Sequence, residues 1–349
     1  MRGYYRIPLR VSLARACLIV VLCFQAEPPM QSAQEGSTPP LSPPGRLVDL
    51  GGWRLHLNCT GEARPSQPTV ILEAGVGDFS VEWALVQPRV AAFARVCSYD
   101  RAGDGWSDMG PMPRTMRQIV FELHTLLARA EVPPPYLLVG QSYGGVLVRL
   151  YQTTYPAEVA GMVLVDGGRV TPLRFVGGKL VTLPDLATGK PLPPVQMSNP
   201  LRDADIPAAA RTQIEAAARG MVPNANESRE KLPEDAQRMR TWALGQVKHY
   251  VANGPNAFDL EAEELALMIA DEKKNPQPLG DKPLIVLTAG QRAYDRQDLE
   301  DERLKIQTAL ARLSRSGKEV IATKSGHHIH IDEPELVTSA IRDALAARR

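Results

Sequence analysis

A chain of 349 residues is long enough for one large α/β domain or two ordinary ones. Its 44% hydrophobic share supports an ordinary core, while the 5% aromatic share argues against an aromatic-rich binding surface. Lys and Arg total 40 against 39 Asp and Glu, which leaves no net field to recruit nucleic acid, and no basic stripe or nucleic-acid motif accompanies them.

The first segment, Met1 to Met30, reads as an export leader. Arg2, Arg6, Arg10 and Arg15 form a basic start, and Ala16 to Phe24 forms a short apolar stretch. That stretch falls short of the roughly 20 apolar residues a membrane span needs. Phe24 is bulky where cleavage after Ala26 prefers a small residue, so residues 1–26 are either a signal peptide or an uncleaved N-terminal anchor. The chain is expected to be exported, periplasmic or secreted, meeting a membrane only through an uncut leader. Residues 27–46, with Pro28, Pro29, Pro39, Pro40, Pro43 and Pro44, read as an extended linker. Past the leader only Cys59 and Cys97 remain, either as a disulfide or as two buried thiols.

Val48 to Leu50 and Arg54 to Asn58 flank Gly51-Gly52, the pattern of a hairpin. Thr69 to Glu73 is a continuous apolar strand ending in Ala74-Gly75-Val76-Gly77-Asp78. A helix is expected over Val81 to Ala94 and a strand over Arg95 to Asp100. Met116, Ile119, Val120, Leu123, Leu126 and Leu127 recur at spacings of three and four, a helical stripe. Further strands are expected at Tyr136 to Val139 and Gly161 to Asp166. Strands alternating with helices imply a mostly parallel sheet covered on both faces.

The strand rhythm then stops from Gly167 to about Asp281. Thr171 to Pro200 is rich in proline and glycine, and helices are expected at Ala208 to Met221, Glu234 to Val251 and Leu260 to Lys273. The rhythm resumes with a strand at Pro283 to Thr288, a helix at Leu299 to Ser314, a strand at Glu319 to Thr323 and a closing helix at Pro334 to Ala347. Residues 167–281 therefore read as a helical insertion over the C-terminal edge of the sheet, between core segments 47–166 and 282–349.

Two stretches carry chemistry. Gly140-Gln141-Ser142-Tyr143-Gly144 is G-x-S-x-G between a strand and a helix, the setting of a nucleophile elbow. Small neighbours let strand and helix approach, and the helix N-terminus points N–H groups at an anion formed beside Ser142. Far along the chain, Ser325-Gly326-His327-His328-Ile329-His330 clusters three histidines after the last strand. A serine hydroxyl needs a base, and a neutral imidazole supplies it. A metal reading fails for want of cysteines nearby or an H-E-x-x-H helix, so neither metal nor cofactor is expected.

In these motifs the chain resembles the α/β-hydrolase superfamily, specifically serine hydrolases with a helical lid after the sixth strand of an eight-stranded, mostly parallel sheet. The resemblance spans residues 46–349. Gly140 to Gly145 matches the elbow, Asp100-Arg101-Ala102-Gly103-Asp104-Gly105-Trp106-Ser107 is similar to the D-R-x-G-x-G-x-S loop, and Gly326-His327 with Pro334 is similar to the histidine loop. It implies Ser142 as nucleophile and His327 as base, with His328 and His330 as loop packing or pocket wall. It implies an oxyanion hole from the backbone N–H groups of Tyr143 and Val76, with Gly77 as the fallback; Ala74 replaces the family's usual histidine there. The usual acid position, three residues past Gly290, holds Ala293. That leaves Asp166 at the end of the sixth strand, or Asp295, as the acid. The family's sheet order makes the second and fourth strands neighbours, which implies a Cys59–Cys97 disulfide. The expected activity is hydrolysis of a small-molecule carboxylic ester. An iminopeptidase, amidase or carbon–carbon hydrolase on the same residues is the alternative, as is a ligand-binding protein of this fold. Glu261, Glu263 and Glu264 are a faint hint of an acidic pocket, against the simpler reading of a solvated helix face.

Overall fold

The computed structural model describes residues 42–168, 173–176, 179–182, 191–198, 200–202, 228–254, 260–293 and 295–347, with a few single residues between 205 and 212. The leader, most of the proline-rich linker and most of the helix expected at Ala208 to Met221 lie outside them.

Eight strands form one sheet in the order β1-β2-β4-β3-β5-β6-β9-β10. They are β1 (Arg46–Asp49), β2 (Arg54–Thr60), β3 (Thr69–Glu73), β4 (Val96–Tyr99), β5 (Tyr136–Gln141), β6 (Val159–Val165), β9 (Leu284–Ala289) and β10 (Gly317–Ala322). Only β2 runs against its neighbours, β1 and β4; every other pairing is parallel. The remaining two strands, β7 (Leu173–Val176) and β8 (Lys179–Thr182), form a separate antiparallel pair in the insertion. Their four-residue length and proline- and glycine-rich surroundings hid them from a periodicity reading.

Side chains along the central strands alternate between the two faces. Leu138, Met162 and Leu164 face one core with the helices α2 (Met116–Arg129) and α3 (Tyr143–Thr154). Val139, Val163 and Val165 face the other, beneath α1 (Gln87–Ala91) and the C-terminal helix Pro334–Ala346. The helix expected over Val81 to Ala94 is split into a 3-10 turn, Ser80–Trp83, and α1. Pro88 is the cause, because its ring and missing N–H fit only a helix's first turn. The helix expected over Glu234 to Val251 likewise ends at Gly245, giving α4 (Glu234–Leu244) and α5 (Val247–Asn253).

Part of the insertion packs into the core. Its helix α6 (Glu261–Lys274) sends Leu265 and Met268 into the α2–α3 core. Glu264 is 3% exposed, and its carboxylate accepts from the N–H groups of Met116 at 2.7 Å and Arg117 at 2.9 Å, capping α2. Glu263 is also buried. The solvated-face reading is therefore corrected for Glu263 and Glu264, while Glu261 is half-buried, and Glu264 is a cap to α2.

Cys59 on β2 pairs in register with Cys97 on β4, and the two are joined by a disulfide at a Cα separation of 4.0 Å. It closes a loop of 38 residues. A loop of that order predicts a stabilisation of about 2–4 kcal/mol, most of it lost entropy of the unfolded chain. The double variant Cys59→Ala/Cys97→Ala should lose that amount in urea denaturation under oxidising conditions. Equal midpoints for variant and wild type would rule the bond out as a stabilising link.

Candidate active site

β5 delivers Ser142 at the sheet's C-terminal edge and α3 begins at the next residue. Ser142 has φ 51° and ψ −120°, a left-handed conformation costing a non-glycine residue about 1–3 kcal/mol. Neighbouring backbone over-determines it. The Ser142 carbonyl accepts from Gly145 and Gly168, both at 3.0 Å, and its N–H donates to the Val165 carbonyl at 3.2 Å. The turn closes only because its glycines lack a Cβ. A Cβ on Gly144 would stand 2.4 Å from the Glu73 carbonyl oxygen, and one on Gly167 would stand 2.4 Å from Ser142 N.

His327 arrives from the loop after β10. Glu333 pins that loop by accepting from Ser325 Oγ at 2.6 Å and Lys324 N at 3.0 Å. Gln141 Nε2 donates to the His327 carbonyl at 3.3 Å, tying elbow and histidine loop together. His327 Nε2 lies 2.8 Å from Ser142 Oγ, and its Nδ1 lies 2.7 Å from Asp166 Oδ2. A proton on Nδ1 donates to the buried carboxylate and leaves Nε2 to accept from the serine. The His327 side chain is 37% exposed against 2% for Asp166, so the hydrogen-bonded line runs from an open end to a buried one.

Asp166 caps β6 at φ 41°, a second strained non-glycine residue. Its Oδ1 accepts from Ala289 N at 3.1 Å and lies 3.3 Å from Arg303 Nη1. Arg303 is itself buried, donating to the Ala289 carbonyl at 3.0 Å and pairing with Glu300. The other candidate acid, Asp295, is exposed, and its carbonyl accepts from Arg292. The structure thus brings Ser142, His327 and Asp166 together and leaves Asp295 outside.

The loop after β3 is held against the elbow. A Cβ on Gly75 would meet Ser142 Cβ at 3.4 Å, so the chain there passes directly beside Ser142. Val76 is 52% exposed, with Gly77 next to it at φ 67°. Arg101, buried below, donates to the carbonyls of Ala74 and Asp78 at 2.8 Å each and to that of Gly75. With three carbonyls drawn toward the guanidinium, this fork fixes the loop's peptide planes. Its charge is matched by Glu73, 2.7 Å away. Tyr143 stands at the start of α3, where N–H groups and the positive dipole end face Ser142.

His330 is buried against Trp83, with ring centroids 4.9 Å apart, and burial holds its pKa well below the ordinary value. His328 is pushed down to about 4 by burial and then by the Arg229 charge. Both rings are neutral at pH 7. Because the folded pKa of His328 lies below its unfolded value of 6.5, its contribution to stability is present above pH 6.5 and lost as pH falls toward 4. His328→Gln should therefore remove up to about 2–3 kcal/mol of acid destabilisation in this window. Urea titrations at pH 7 and pH 4.5 check it, and parallel losses in wild type and variant would refute it.

Arg101, Arg303 and Asp78 escaped a reading from sequence as functional residues. Arg101 sits in a recognised motif, but its target is the loop of another strand. Arg303 lies mid-helix, 137 positions from Asp166, with no local mark of its role.

Residues 70–340 match the model of the alpha/beta hydrolase family. YqjL, an uncharacterised Bacillus subtilis protein, is 27% identical over 281 residues, covering 80% of this chain and 84% of its own length. A thermophilic esterase from Thermogutta terrifontis superposes with a TM-score of 0.58 at 19% identity, over 87% of this chain and 99% of that one. The enol-lactonase from Burkholderia xenovorans LB400 superposes with a TM-score of 0.57 at 16% identity, over 86% of this chain and 100% of that one. At such identities the two structures speak for the fold alone. The family match spans most of the chain, and with the sheet order and the strand–elbow–helix turn it places this protein in the alpha/beta hydrolase family.

Proposed function

We propose that the protein hydrolyses a carboxylic ester through an acyl-enzyme on Ser142. The observation that carries this reading is the hydrogen-bonded line from Ser142 Oγ through His327 to Asp166. His327 Nε2 takes the serine proton as Oγ attacks the carbonyl, and Asp166 stabilises the imidazolium that forms. The N–H groups of Tyr143 and Val76 receive the oxyanion, and Arg101 holds the Val76 side of that hole in place. The imidazolium then protonates the departing alcohol, water enters, and His327 activates it to free the acid. No cofactor takes part.

The insertion acts as the lid over this site, a reading supported by α5. Lys248 Nζ donates to the Ser107 carbonyl at 2.7 Å, and His249 Nδ1 lies 3.0 Å from Asp104 Oδ1. The Cys59–Cys97 bond supports an oxidising compartment, consistent with export by the leader.

The test is a chain-length series of p-nitrophenyl esters together with a fluorophosphonate that labels an activated serine. We expect a pre-steady-state burst stoichiometric with enzyme and a phosphonate adduct on the Ser142 peptide. An enzyme that turns over no ester and takes up no phosphonate would remove the ester reading.

A further inference from the structure

Asp78 carries a charge that the ester chemistry does not use, and it stands in a sensitive place. The point where a Gly75 Cβ would lie is 3.0 Å from Asp78 Oδ2 and 3.4 Å from Ser142 Cβ. The carboxylate and the nucleophile thus flank the same residue of the oxyanion loop. Asp78 is only 7% exposed, so water screens it poorly. An unpaired negative charge there would oppose the oxyanion that Ser142 must generate.

The insertion supplies the counter-charge. Arg229 Nη2 donates to Asp78 Oδ1 at 2.7 Å, and Arg229 Nε reaches both carboxylate oxygens of Glu82 at 3.3 and 3.2 Å. Arg240 Nε donates to Glu82 Oε1 at 2.7 Å, and its Nη2 lies 3.9 Å from Asp78 Oδ1. Both carboxyl groups belong to the core and both guanidinium groups to the insertion, so docking the insertion sets two acidic side chains against two arginines. Glu82 is 1% exposed, and burial with the neighbouring Asp78 pushes its pKa up to about 7 against the pull of the two arginines.

We propose that Arg229 is a positioning residue for the hydrolysis: by pairing with Asp78 it cancels a negative charge beside the oxyanion hole, so the site suits an anion only while the insertion is docked. This rests on Ser142 forming a tetrahedral oxyanion, as proposed above. The expected size follows from Coulomb's law. A unit charge about 6 Å away at an effective dielectric of about 20 changes the stability of a developing anion by about 100-fold, and partial hydration brings this to about 10- to 100-fold.

The experiment compares kcat and KM on p-nitrophenyl butyrate for the full chain and for Arg229→Gln, Arg229→Lys and Asp78→Asn/Arg229→Gln, with thermal melts to confirm folding. Arg229→Gln should lower kcat by about 10- to 100-fold with KM changed by less than about threefold. Replacing Asp78 as well, whose carboxylate Arg229→Gln leaves with Arg240 at 3.9 Å, should return kcat to within about threefold of wild type with KM unmoved in both variants, which a general loosening of the site would not leave. Wild-type kcat in Arg229→Gln, or a double variant no better than the single one, overturns the proposal. If Arg229→Gln does not fold, Arg229→Lys decides: it keeps the charge and should hold at least about a third of wild-type kcat, and a loss beyond about 10-fold overturns the charge assignment. A wild type inert on every ester would strike the ester reading itself, whereas an active wild type indifferent to Arg229 strikes this inference alone.

Discussion

Ser142→Ala is expected to lower kcat on p-nitrophenyl esters by about 10^5- to 10^6-fold. The loss is large because the hydroxyl is the attacking atom in the proposed route and is the group that His327 Nε2 meets at 2.8 Å. The fold should not suffer. Ser142 makes no side-chain cap to α3, and its backbone is held by bonds from Gly145 and Gly168 that alanine keeps. The measurement is kcat beside a thermal melt and phosphonate uptake. A variant that folds, resists phosphonate and still turns over esters at a tenth of the wild-type rate or better would place the nucleophile elsewhere.

Asp166→Asn is expected to cost about 10^4-fold in kcat, while Asp295→Asn should leave it within about twofold. An amide at position 166 cannot stabilise the imidazolium, and its NH2 can force His327 into the tautomer with the proton on Nε2, facing the serine. Glu300 still balances the buried Arg303 in that variant, so the damage should fall on catalysis more than on folding. Equal effects from the two variants, or a larger one from Asp295→Asn, would reject Asp166 as the acid.

Much of this architecture is written locally. Residues 137–139 and 162–165 are apolar throughout because the two cores bury both faces of their strands, and the 116–127 stripe marks its helix because burial on one face needs only a period. Pro88 and Gly245 are just as local, yet they act on helix continuity, which an apolar pattern does not record. Ser142 and His327 were legible because their loops need unusual neighbours at fixed spacing. Asp166 was reached through the vacancy at Ala293, an argument from family pattern. Arg303 and Arg229 were not legible at all. Each meets its partner across more than a hundred residues, and an arginine on a helix face looks the same whether it meets water or a carboxylate.

The hydrogen bond from Gly168 N to the Ser142 carbonyl bears on recombination of this protein with its relatives. The insertion leaves the core after β6, but its first two residues still belong to the elbow: Gly167 lies against Ser142 N, and a Cβ on Gly145 would stand 2.2 Å from Gly168 N. A chimera that exchanges the insertion should therefore splice beyond Gly168 and rejoin before Pro283, whose carbonyl accepts from Met162 N in β6. Splicing at the last residue of the strand would hand the Ser142 turn to a foreign sequence. The donor segment also brings its own charges to Asp78 and Glu82. Compatibility between insertion and core thus becomes a property that is inherited jointly, and libraries that shuffle the two freely would lose most of their folded members at these contacts.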